Sequence, residues 1–234
     1  MMIDVSLSHL FKPKISCNNS ASADPKKTSS RAQRFLVSHG YKGKIFPVNP
    51  NRKEIFGLKC YPNLKSINEH IDHIFIAVDS NKIIEAIKDA ISKKVRCATI
   101  LSGGFTESGS EGNDLEKQVF KIAKKGDLRI LGPNSIGLIN ITDNVILSAN
   151  AMLELQDLKK GSLSVISHSG SLIGALLAHG HSRGIGFSKL VSVGNESDLS
   201  VGEIGKMLVN DPNTESIILF LETLRNSDEV AEMS

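Results

Sequence analysis

From about Ile15 onward, short apolar runs alternate with amphipathic segments, the pattern of repeated βα units that close on a parallel sheet. Strands are predicted at residues 44–48 (KIFPV), 74–78 (IFIAV), 98–101 (ATIL) and 129–131 (RIL), each followed by Gly, Pro, Asn, Asp or Ser. Residues 81–94 set Ile83, Ile84, Ile87 and Ile91 at helical spacing, with Ser80 or Asn81 as cap and lysines at the C-terminal end. Residues 111–125 repeat the design with Leu115, Val119, Phe120 and Ala123, and Gly126 stops the helix. A second series places strands at 162–167, 187–193 and 216–221 and helices at 171–183 and 201–210. The fold class this predicts is α/β, with a Rossmann-like nucleotide-binding first half.

A chain of 234 residues is long enough for two small domains. The expected division is 1–142 for the first domain, 143–161 for a crossing segment without clear period, and 162–234 for the second. Three parallel strands leave an edge with unpaired backbone groups, and the last residues, SDEVAEMS, read as the first turns of a helix cut short. The second domain is therefore expected to be incomplete and the chain to be a fragment or subunit.

Charge is nearly balanced, with 28 basic and 25 acidic residues scattered along the chain, so nucleic acid is not an expected partner. Cys17, Cys60 and Cys97 form no CxxC pair, which argues against a metal site and against a disulfide framework. No apolar run approaches the roughly 18 residues of a membrane span, and MMIDVSLSHLFKPK lacks the parts of a signal peptide. A cytoplasmic protein with no membrane partner is the expectation.

Four loops draw attention. The segment SASADPKKTSSRAQRFL (20–36) follows the first strand and opens a helix, placing backbone N–H groups, Lys26, Lys27 and Arg31 where a phosphate could sit, although such loops also serve simply as caps. LSGGFTE (101–107) and GPN (132–134) end strands with glycines that let a ligand approach the carboxyl edge of the sheet. SHSGS (167–171) joins a strand to a helix in the second series and offers hydroxyls and amides to an anion. His168 within it is either a nucleophile that can be phosphorylated or a capping and packing residue. GxGxxG is absent, which disfavours a nicotinamide dehydrogenase.

Taken in order, GYKGKIFPVNP (40–50), FGLKCYPNL (56–64), LSGGFTESG (101–109), ILGPNSIGLIN (130–140) and GIGFSKLVSVGNESDLSVGEI (184–204) resemble the NDP-forming acyl-CoA synthetases. They resemble more distantly the α subunit of succinyl-CoA synthetase, and the same modules occur in protein lysine acetyltransferases with a CoA-binding domain. The resemblance implies a CoA-binding Rossmann-like domain followed by a flavodoxin-like ligase domain, with CoA or acyl-CoA as ligand. The positions it assigns to the CoA loops are Ala21, Ser22, Lys27, Thr28, Ser29, Pro47, Asn49, Ser102, Gly103, Gly104, Phe105, Gly132, Pro133 and Asn134. It assigns Ser167, Ser169, Gly170 and Ser171 to the phosphate turn, and Glu222 to a carboxylate that orients a phosphohistidine; a solvent-facing carboxylate at a strand end is the ordinary alternative.

The resemblance also implies ATP or ADP and Mg²⁺, bound by an ATP-grasp subunit or domain of which the sequence shows no trace. The family's phosphohistidine falls in a later segment, and His168 stands where the family has Gln. At the first strand, Asn18, Asn19 and Ser20 replace two aliphatic residues and a glycine, so two buried asparagines with imperfect partners are expected to cost about 1–3 kcal/mol each. The functional expectation is the CoA-binding portion of an acyl-CoA synthetase. The alternative from a different class is a non-catalytic CoA or acyl-CoA sensor, or a remnant that binds nothing.

Overall fold

The structure, a computed structural model, describes residues 5–233, with side chains from Ser8 onward. The start of the N-terminal stretch read above for a leader, and Ser234 at the cut-short helix, lie outside the described residues.

The first half runs α1 (Val5–Phe11), β1 (Ile15–Asn19), α2 (Thr28–Ser38), β2 (Lys44–Val48), a short hairpin of β3 (Glu54–Ile55) and β4 (Leu58–Lys59), β5 (His73–Ile76), α3 (Ile83–Ser92), β6 (Cys97–Ile100), α4 (Ser110–Lys125) and β7 (Arg129–Leu131). Its five long strands are all parallel in the order β2-β1-β5-β6-β7. The order reverses at β1, so ligand-binding loops are expected at the carboxyl ends beside it. The spaced isoleucines of α3 do what their period predicts: Ile83 and Ile87 are buried in one cluster with Ile74, Ile76, Ala98 and Ile130 of the sheet.

The second half contains β8 (Gly137–Asn140), β9 (Val145–Ser148), β10 (Lys160–Ser167), α5 (Gly170–Ser182), β11 (Phe187–Ser192), α6 (Val201–Val209), β12 (Ser216–Phe220) and α7 (Ser227–Ala231). Its sheet has five strands, β12-β10-β11-β8-β9, rather than the three expected. The added pair is an antiparallel hairpin, β8 with β9, docked antiparallel on β11. The aperiodic stretch at 143–161 therefore holds a strand and a short 3-10 turn (Ala151–Glu154). The reason it showed no period is physical: all four residues of β9 are buried, because α2 of the first half lies over it, with Ala32 and Leu36 clustered with Val145 and Leu147, and Phe35 with Ile146. A strand covered on both faces does not alternate. The two halves thus share a core. On the other edge β12 is open, with Ile218, Leu219 and Phe220 exposed.

β1 is central, between β2 and β5, and its asparagines behave differently from the expectation in one respect. Asn18 is 2 % exposed, donates Nδ2–H to Ser29 O at 3.1 Å, and leaves Oδ1 with no hydrogen-bond partner among the described residues. Asn19 is only half-buried, so the cost falls on one asparagine. Asn18→Val is expected to raise stability by about 1 kcal/mol, read as a higher urea midpoint at unchanged slope. Ser20 takes φ +68°, a conformation that costs a non-glycine residue about 1 kcal/mol.

His73 in β5 is fully buried, its Nε2 2.8 Å from Thr99 Oγ1, and desolvation pushes its pKa down to about 4. The folded chain keeps this ring neutral while the unfolded chain protonates it near 6.5, so between those values the unfolded state binds more protons. Stability is expected to be full above about pH 6.5 and to fall toward pH 4 by up to about 3 kcal/mol. Denaturation midpoints across that window check this, and His73→Gln, which does not titrate, flattens the limb.

Among the described residues no helix is long and apolar enough to cross a membrane.

Candidate functional site

The loops singled out from sequence gather at the carboxyl ends of the two sheets. After β1, the chain turns through Ser20 into a loop held by its own polar groups: Ala21 N–H donates to Val48 O (3.1 Å), Asn49 Nδ2–H donates to Ala21 O (2.8 Å), and Asp24 N–H donates to Ser22 Oγ (3.1 Å). Ala21 and Asn49 therefore brace the loop. Lys27 stands at the N-cap of α2 without a side-chain cap bond, and no acidic residue lies in the first turn. Thr28 and Ser29 open the helix, and Lys26 and Lys27 are exposed beside it. A helix end with uncapped amides and two adjacent cations is a set of donors suited to anionic oxygen. Pro47 is buried on β2, an edge strand, where the lack of an N–H is tolerated.

The Gly-Gly-Phe loop is less open than its glycines suggest. Ser102 Oγ–H donates to Val78 O, Gly104 takes φ +94°, and Phe105 is a fully buried core side chain. The Gly104 and Phe105 N–H groups donate to Glu107 Oε1 at 2.7 and 3.2 Å, so this amide pair already faces a carboxylate, which also hems in Gly103. Glu107 Oε2 accepts from Asn195 Nδ2 at 2.6 Å. Partial desolvation pushes the Glu107 pKa up, but the Asn195 amide and the backbone N–H groups outweigh it, and the net direction is down.

Gly132, Pro133 and Asn134, with a cis Gly132–Pro133 bond, lie between this loop and the second half. Asn134 N–H donates to Ser102 O (3.0 Å), and Asn195 N–H donates to Pro133 O (2.9 Å). Three loops, after β6, β7 and β11, are thereby stacked by backbone hydrogen bonds across the seam between the two sheets. Glu116 of α4 adds to the seam, accepting from Ser197 Oγ at 2.6 Å and Asn195 Nδ2 at 3.2 Å.

On the second sheet, Ser169 caps α5 through Leu172 N–H (3.3 Å) and shares a hydrogen bond with Ser171 Oγ (3.0 Å). Ser167 Oγ–H donates to Ser169 O and accepts Ser169 N–H, which fixes the turn. Gly170 is required by packing, since a Cβ there would lie 2.8 Å from Ile136 side-chain atoms. Of the four residues expected to bind phosphate, three thus have identifiable structural work in the turn.

His168 and Glu222 do come together, but not through the Glu222 carboxylate. The Glu222 backbone N–H donates to His168 Nδ1 at 3.0 Å, and the carboxylate is exposed. His168 Nε2 lies 2.9 Å from Glu196 Oε2, with both side chains 5 % exposed. The expected nucleophile candidate therefore has neither ring nitrogen free. Glu196 went unnoticed in the sequence: it sits in GNESD, directly after a predicted strand, at φ +51°, and its Oε1 accepts the first amide of α6, Val201 N–H, at 2.7 Å. A carboxylate at a strand end before a helix was the only signal available.

Residues 20–141 match the model of the CoA binding domain, and residues 160–234 match that of the succinyl-CoA ligase like flavodoxin domain. The chain is 35% identical over 222 residues to "Acetate--CoA ligase [ADP-forming] II" of Archaeoglobus fulgidus, covering 94% of this chain and 32% of that protein. It is 32% identical over 234 residues to "Acetate--CoA ligase [ADP-forming] I subunit alpha" of Pyrococcus furiosus, covering 98% of this chain and 50% of that subunit. Among solved structures, the dinucleotide forming acetyl-coenzyme A synthetase 1 of Ca. Korarchaeum cryptofilum, in complex with phosphate and ADP, superimposes with a TM-score of 0.91 at 33% identity over 99% of this chain and 49% of that one. The chain thus spans about a third of the length of the first of these relatives and about half of the other two.

Proposed function

Because the chain belongs to the CoA binding domain family and continues into a succinyl-CoA ligase like flavodoxin domain, we propose that it is the CoA-binding portion of an ADP-forming acyl-CoA synthetase. The observation that carries this reading is the convergence of the uncapped α2 N-terminus with Lys26 and Lys27, the Gly-Gly-Phe loop and the Gly-Pro-Asn loop at one sheet edge.

The donor set fits coenzyme A. Lys27 and the first amides of α2, at Thr28 and Ser29, are suited to the diphosphate, with Ala21, Ser22 and Asn49 holding the loop that presents them. The loops at 102–105 and 132–134 lead from there toward the seam and the α5 turn. When bound, CoA supplies the thiol that an acyl phosphate acylates. This chain's residues bind and orient: the turn at 167–171 and the α5 N-terminus favour a phosphoryl group, and Glu222 offers a carboxylate beside it. The overall reaction proposed is acyl-CoA + ADP + phosphate to and from acid + CoA + ATP, with the phosphohistidine, nucleotide and Mg²⁺ contributed by other segments or an ATP-grasp partner subunit, in the cytoplasm.

Calorimetric titration with CoA tests this directly. Binding is expected, weakening as salt rises, with Lys27→Ala reducing affinity about tenfold and Asn49→Ala loosening the loop. A folded chain that shows no heat with CoA at millimolar concentration would refute the assignment.

A further inference from the structure

His168 stands between a donor and an acceptor that dictate its protonation. A backbone N–H can only donate, so Nδ1, 3.0 Å from Glu222 N, is the unprotonated nitrogen, and the ring proton sits on Nε2, donated to Glu196 Oε2. Glu196 is itself anchored, its other oxygen taken by Val201 N–H at the positive end of α6. Phosphoryl transfer to a nitrogen needs a lone pair aimed at phosphorus. The Nδ1 lone pair is committed to the Glu222 amide, Nε2 holds a proton, and the ring is 5 % exposed.

We propose that His168 is a positioning residue and not a phosphoryl acceptor: its ring is a spacer between Glu196 and the chain after β12, and so fixes the Glu222 backbone against the turn at 167–171. The role at that turn rests on the phosphate reading above; the positioning itself does not. Glutamine presents the same pair of functions, one carbonyl acceptor and one N–H donor, and can span the same two partners.

Long-range ¹H–¹⁵N NMR of the ring, with amide exchange at Glu222, tests this on the full chain. The expected results are an Nε2–H tautomer, a Glu222 amide that exchanges about tenfold faster in His168→Ala, and retained protection in His168→Gln. An Nδ1–H tautomer, unchanged exchange in His168→Ala, or acid-labile phosphate on His168 after incubation with acetyl phosphate would each overturn the proposal. Titration with inorganic phosphate, followed at the Gly170 and Ser171 amides, reads the phosphate assignment separately: shifts there support it, and their absence removes that assignment while the tautomer still decides the positioning.

Discussion

Gly194→Ala is expected to destabilise the chain by about 3 kcal/mol or more, lowering the melting temperature by about 6 °C or more, and to weaken CoA binding in the same sample. Gly194 takes φ +57°, and a Cβ there would lie 2.1 Å from Pro133 O and 2.7 Å from Asn134 O. Every atom it meets is backbone, so no side chain can swing aside. Relief requires the β11–α6 loop to part from the Gly-Pro-Asn loop, which breaks the Asn195 N–H to Pro133 O bond and displaces a loop placed at the ligand edge. Gly57→Ala is the internal control. Gly57 has φ +75° but open space around the added carbon, so only the backbone preference of about 1 kcal/mol is expected. Equal losses in the two variants would mean that the seam is not tightly packed at Gly194.

Arg129→Met is expected to cost about 2–3 kcal/mol and to do so across the same seam. Arg129 leaves β7 in the first half and reaches two carboxylates of the second: Nε to Asp198 at 3.1 and 3.3 Å, and Nη2 to both Glu203 oxygens at 2.9 Å. The three side chains are 23–33 % exposed, so the loss is discounted from the 3–5 kcal/mol typical of a fully buried pair. Desolvation lowers the Arg129 pKa, but Asp198 and Glu203 outweigh it and the net direction is up. For Asp198, burial pushes the pKa up and Arg129 offsets this only in part, so the net direction is also up. Losing the guanidinium pushes Asp198 further up. A carboxyl group whose folded pKa exceeds its unfolded value destabilises at high pH and is relieved as pH falls through the folded value. The deficit of Arg129→Met is therefore expected to be largest at neutral pH and to shrink on acidification. Arg129→Lys keeps a charge but not the fork that meets two carboxylates, so it is expected to recover only part of the loss. Denaturant midpoints over a pH series measure both effects.

These two substitutions probe what local patterning left out. The spacing of Ile83, Ile87 and Ile91 and the apolar runs at 74–78 and 98–101 announced α3, β5 and β6, because a helix or strand buried on one side, or a central parallel strand, leaves a signal within a single stretch. Strand ends rich in Gly, Asn and Ser likewise located the loops at 20–27, 102–105, 132–134 and 167–171. β8 and β9 left no such signal. Val145–Ser148 is covered by α2 on one side and the second-half core on the other, and a hairpin that docks antiparallel on β11 is decided by partners far away in the chain.

At the site the division is similar. Legible along the chain were the order of βα units, the family motifs, and the identity of the groups at each loop: Lys26 and Lys27, the glycines, His168 and Glu222. Their states came from contacts made in the folded chain. It placed the Glu107 carboxylate on the Gly104 and Phe105 amides, left Asn18 Oδ1 unpartnered but Asn19 half-exposed, and closed both nitrogens of His168 between Glu196 and the Glu222 backbone. Periodicity records which face of an element is buried, whereas hydrogen-bond partners tens of residues apart depend on which loops the sheets bring together, and that is set by the packing of β7, β8 and β11 at the seam.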